Sequence, residues 1–211
     1  MLKKLNEKRI DNLFGLTKKN FSLGPIRIYD NLLYIIIISF LALFPPDIVI
    51  IFAYFFIFLY LYISSRKNWI YYLCISSLVS LAWIFFANSY YGYNIEMLNF
   101  FGLNSFPLFA WAIGLFGVYF LFSNIKNYYV INHFRSFLLF CFFYWSCLLL
   151  VETIGYHVFN IQNLETSVYQ GLPLCNCIHA PVWMQISYFL LGPAYFILCK
   201  VLTLKKILDE D

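Results

Sequence analysis

Six apolar runs, at about 26–44, 47–64, 69–87, 107–123, 134–155 and 181–200, are each about 17 to 22 residues long. At 1.5 Å per residue that length crosses a hydrocarbon core of ~30 Å. Only 11% of the 211 residues are charged and 63% are hydrophobic, against ~25% charged in an average soluble domain. The expected fold is all-α: a polytopic integral membrane bundle of six transmembrane helices.

Pro45-Pro46 decides the count. A single helix over 31–65 would be about 52 Å long, well beyond a bilayer core, so the pair is read as the turn of a hairpin. Charge placement supports this. With six spans and both termini cytoplasmic, all 14 Lys and Arg fall on the inner side: residues 1–30, Arg66-Lys67, Lys126 and Arg135, and Lys200, Lys205 and Lys206. The outer segments around Asp47, 88–106 and 156–180 hold none, as the positive-inside rule prefers. Merging the first two runs would split the same charges seven and seven. The chain then divides into a basic cytoplasmic segment (1–30), a membrane domain (31–200) with outer loops 88–106 and 156–180, and a cytoplasmic tail (201–211), in the cell's inner or plasma membrane.

The net charge of +4 is explained by this sorting, so no nucleic-acid partner is expected. Residues 1–30 read as a solvated basic tail in preference to an interfacial helix. The first apolar run leads into Phe44-Pro45-Pro46-Asp47 instead of a small-x-small cleavage site, so it is expected to be retained. Tyr71, Tyr72, Tyr90, Tyr91, Tyr93, Tyr128, Tyr129 and Trp69 cluster at span ends, where rings anchor at headgroups.

The chemistry concentrates in 171–185, where Cys175, Cys177 and His179 stand at alternate positions. In an extended segment they would point the same way. Cys74, Cys141 and Cys199 belong toward the cytoplasmic side, so the outer pair has three options: each other, a metal, or free thiols. A disulfide between residues two apart closes a small ring that could be redox-active. Two sulfurs and an imidazole would suit copper or zinc, with Met184, His157 or Glu152 completing the set.

Glu152 is the one acidic residue well inside an apolar run, and such residues are functional-site hypotheses by default. With His157 and His179 it forms a candidate acid-base set. Trp183, Gln185 and Tyr188 on the last span, with Asn88 from the other outer loop, are candidate substrate-binding residues. Gly192-Pro193 should interrupt that span and free a carbonyl that needs another partner.

No phosphate-binding glycine loop, paired-aspartate prenyl-diphosphate site, Gly-x-Ser-x-Gly elbow or His-Glu-x-x-His site is present. The absence of polar rows argues against a channel. The general layout is similar to small polytopic carotenoid-cyclase-type proteins, without the proline and paired glutamates associated with them, and no residue is carried over. The leading expectation is a membrane-embedded enzyme acting on a lipid or isoprenoid at the outer face. The alternatives are a copper- or zinc-holding or thiol-redox membrane protein, and a non-catalytic accessory subunit bound to a membrane-protein partner.

Overall fold

Proline, one amide side chain and left-handed backbone positions mark helix limits in the computed structural model, which describes residues 39–40, 43–126 and 133–209. Helix α1, Pro46–Ile63, starts at a proline, whose missing N–H costs nothing in a first turn. Pro45 before it is not helical (φ −51°, ψ 128°), so no continuous helix passes through the proline pair. The apolar run at 26–44 falls outside the described residues except for its end.

At its other end α1 closes with Ser65 in the left-handed region (φ 57°). The Arg66 N–H donates to the Leu61 carbonyl (2.9 Å) and the Ser65 N–H to that of Tyr62 (3.1 Å). This pair of bonds satisfies carbonyls that the last turn would otherwise leave open. The chain turns at once into α2, Lys67–Ala87, extended by a 3-10 turn at Asn88–Tyr90.

A two-residue hairpin follows, β1 (Asn99–Phe100) pairing antiparallel with β2 (Leu103–Asn104). Its tip residues Phe101 and Gly102 both have positive φ, as a type I′ connection requires. Helix α3, Ser105–Lys126, is capped by Asn104, whose side-chain oxygen accepts the Phe106 N–H at 3.1 Å. Then come α4, His133–His157, and α5, Val182–Asp209.

These five helices are long and apolar enough to cross a membrane, and only 22% to 44% of each one's most apolar window is buried inside the bundle. The remaining faces carry exposed rings such as Phe52, Phe55, Phe85, Phe86 and Phe142, the surface expected where hydrocarbon is the solvent. The limits agree with the apolar runs read from the sequence to within a few residues for α1 to α4.

Helix α3 touches all four others and forms the centre of the bundle. Neighbours pack antiparallel. Trp69 near the start of α2 meets Phe120 near the end of α3 at 4.5 Å between ring centres, and Phe140 of α4 meets Phe196 of α5 at 4.7 Å. Trp69 and Tyr72 are therefore core residues, not headgroup anchors; the Tyr72 hydroxyl bonds Thr203 (3.0 Å) and its carbonyl accepts from Tyr195 (2.9 Å). Tyr128 and Tyr129 lie outside the described residues.

The connectivity puts Arg66, Lys67, Lys126, Arg135, Lys200, Lys205 and Lys206 at one end of the bundle. The two long loops occupy the other.

Candidate functional site

At the loop end, segments 90–94 and 160–165 join into one roof. Asn163 donates to the Tyr90 carbonyl (2.7 Å) and accepts the Gly92 N–H (3.0 Å). The Leu164 N–H reaches the Gly92 carbonyl at 2.6 Å, and Asn94 and Gln162 exchange two bonds at 2.9 and 3.0 Å. Beside this roof, Asn88 clamps the hairpin, donating to the Gly102 carbonyl (2.8 Å) and accepting the Asn104 N–H (3.0 Å). Asp47 accepts the Leu98 N–H at 2.9 Å.

Under the roof, between α3 and α4 and reaching α5, is a cavity of about 210 Å³. Phe106, Trp111 and Leu115 come from α3, Tyr144, Leu148 and Glu152 from α4, Tyr91 and Tyr93 from the first loop, Ile178 and His179 from the second, and Tyr188 from α5. Val151 belongs to the same lining and is 66% exposed, so the cavity reaches the outer surface of the bundle along α4.

Glu152 is the only acidic or basic side chain on this wall apart from His179. It is half-buried and makes no hydrogen bond or ion pair among the described residues. Glu152 is also close enough to act electrostatically on Tyr91, Tyr93, Tyr144 and Tyr188.

Tyr91 is the hub of the polar wall. Its hydroxyl oxygen accepts the indole N–H groups of Trp83 (2.9 Å) and Trp111 (3.1 Å) and lies 2.8 Å from the Tyr188 hydroxyl. An indole N–H can only donate, and a phenol oxygen has two acceptor positions. Both are taken, so the Tyr91 proton is given to Tyr188. Burial pushes the Tyr91 and Tyr93 hydroxyls above the usual phenol range, which keeps them neutral. The sequence reading placed Tyr91 and Tyr93 as headgroup anchors; they are cavity residues.

The segment around the cysteines is not extended. Asn176 (φ 43°) and Ile178 (φ 51°) are left-handed, which removes the alternation that would have aligned Cys175, Cys177 and His179. Cys175 and Cys177 form a disulfide with each other. Their sulfurs are thus used, and among the described residues no three His, Cys, Asp or Glu are grouped to hold a metal ion. The copper or zinc expectation has no support here.

His179 lines the cavity, stacked on Tyr156 at 5.1 Å, with its two ring nitrogens 2.9 Å from the Tyr169 carbonyl and 3.3 Å from that of Asn176. A neutral ring donates to one of these. Gly171 leaves the room: a Cβ there would lie 2.9 Å from His179 Nε2 and 3.0 Å from the Cys177 carbonyl oxygen. His157 is exposed outside the cavity and donates to the Cys175 carbonyl at 2.9 Å.

Of the nine residues singled out from the sequence, Glu152, His179 and Tyr188 line the same cavity. The rest do not. Gln185 spends its amide on the carbonyls of Gln170, Ile178 and Ala180, and Trp183 packs on Tyr90 and Trp83. Asn88, His157, Gln185 and the disulfide all hold loops in place. Trp111, an interior ring that could from sequence line a cavity or pack between helices, lines the cavity. Tyr91, Tyr144 and Asn163 have no local signal of it: a tyrosine near a span end reads the same whether it faces headgroups or a cavity, one inside a span reads as packing, and a loop asparagine reads as solvated.

Comparison with family models, curated proteins and solved structures finds no match to this chain.

Proposed function

We propose that this chain is a multi-pass membrane enzyme acting on a lipid or isoprenoid molecule, with Glu152 as the group that takes and returns a proton and His179 beside it. The observation that carries the reading is a carboxyl group with no hydrogen-bond or ion-pair partner among the described residues, on the wall of an apolar cavity that extends to the bundle surface. A carboxyl kept in such surroundings is suited to proton transfer. The volume also fits: about 210 Å³ is below the ~300–1,000 Å³ of pockets that enclose drug-sized ligands. It admits the reacting end of a long molecule entering from the bilayer. The same proposal includes six spans with cytoplasmic termini and loops on the outer face, supported by the basic residues collecting at the end opposite the loops.

Wild-type, Glu152→Gln and His179→Ala proteins are incubated with the host's total lipid extract and followed by mass spectrometry. The wild type is expected to consume at least one lipid species that Glu152→Gln leaves untouched and His179→Ala consumes slowly. Lipid profiles identical for all three proteins and a no-protein control would overturn the enzyme reading.

The disulfide favours a second reading, thiol–disulfide exchange. Cys175–Cys177 would take two electrons and two protons from a partner dithiol, which leaves as a disulfide. Reduced glutathione and a small dithiol protein are the probes. Exchange lost in Cys175→Ser supports this reading, and an inert disulfide under conditions that reduce ordinary surface disulfides rejects it.

A further inference from the structure

The direction of the hydrogen bonds around Tyr91 fixes what the cavity offers a ligand. Trp83 and Trp111 fill both acceptor positions of the Tyr91 oxygen, so Tyr91 donates to Tyr188, and the Tyr188 oxygen receives that proton. The Tyr188 hydroxyl proton then has no acceptor among the described residues, on a side chain that lines the cavity. Donors arranged in a chain polarise one another, so the last one gives more strongly than an isolated phenol. On the wall of the same cavity is Glu152, which also has no partner among the described residues.

We infer that the cavity takes an apolar alcohol whose oxygen accepts the Tyr188 proton and whose own O–H donates to Glu152. A hydroxyl group is the smallest function that does both at once. An ether or carbonyl satisfies Tyr188 alone, and a hydrocarbon leaves both groups unmet. The walls of Phe106, Leu115 and Leu148 take the apolar body. Trp83 acts through Tyr91 and is a positioning residue. This assignment deepens the enzyme reading above by naming the substrate class of the same site.

The test uses the purified full-length protein and three probes of nearly equal length: n-decanol, its methyl ether and n-undecane, titrated by native mass spectrometry. In the wild type, n-decanol is expected to bind about tenfold more tightly than the ether and the ether about tenfold more tightly than the hydrocarbon, one hydrogen bond per step. Tyr188→Phe keeps the ring and should erase the advantage of the ether over the hydrocarbon. Glu152→Ala should erase that of the alcohol over the ether. Trp83→Phe, whose ring lies outside the cavity lining, frees one acceptor position on Tyr91 and should cut the ether's advantage to about threefold.

Equal binding of all three probes to the wild type, or an undiminished advantage of the ether over the hydrocarbon in Tyr188→Phe, would overturn the inference while leaving an apolar cavity in place. If none of the probes binds, the lipid-acting reading fails with it.

Discussion

Gly192 shows at the level of one residue how closely this bundle is packed. An added Cβ there would enter the ring of Tyr144, whose hydroxyl donates to the Tyr188 carbonyl at 2.6 Å. Gly192→Ala is expected to destabilise the protein by about 1–3 kcal/mol, read as a lowered thermal midpoint in detergent. Gly114→Ala, with open space around the new methyl, should leave stability unchanged or raise it by up to about 1 kcal/mol, because alanine is the better helix former. A gain or no change for Gly192→Ala would refute the packing argument. Residue-scale features differ in how far the sequence reveals them. Glu152 stands out because a carboxylate interrupts an apolar run. The role of Tyr91 does not, because it depends on which partners Trp83 and Trp111 find after folding.

Helix α5 carries the clearest element-scale lesson. Pro193 sits inside it and has no N–H to offer the carbonyl four residues back, that of Phe189. The Trp145 indole of α4 supplies the missing donor at 2.9 Å. The sequence reading anticipated a freed carbonyl but not its partner, since nothing local links Trp145 to Pro193. Trp145→Phe is expected to cost about 1–3 kcal/mol by leaving the carbonyl unmet. Adding Pro193→Ala restores an in-helix donor, so the double variant should recover most of the loss in the same melting assay. Additive destabilisation would show that the indole acts by bulk alone. Helix limits were legible because apolar length and proline are local signals. The pairing of loops 90–94 and 160–165 was not, because it rests on backbone and asparagine side-chain bonds between segments about 70 residues apart.

At the scale of the whole molecule, the arrangement is polarised: described cations at one end, and the cavity, the disulfide, His157 and His179 at the other. Orientation in the membrane follows from this if the basic end is cytoplasmic. In intact cells, a membrane-impermeant maleimide is expected to label Val168→Cys, in the exposed part of the second loop, and to leave Ser65→Cys unlabelled until the cells are opened. The reverse pattern would turn the protein over and remove the outer-face cavity.

The roof over the cavity also sets an order of assembly. One half of it emerges from the ribosome before α3, the other only after α4, and the phenol that receives the Tyr91 proton arrives last of all, on α5. A nascent chain halted at any earlier point holds an open, half-wired chamber, so the site comes into being only once the first turns of α5 have been made.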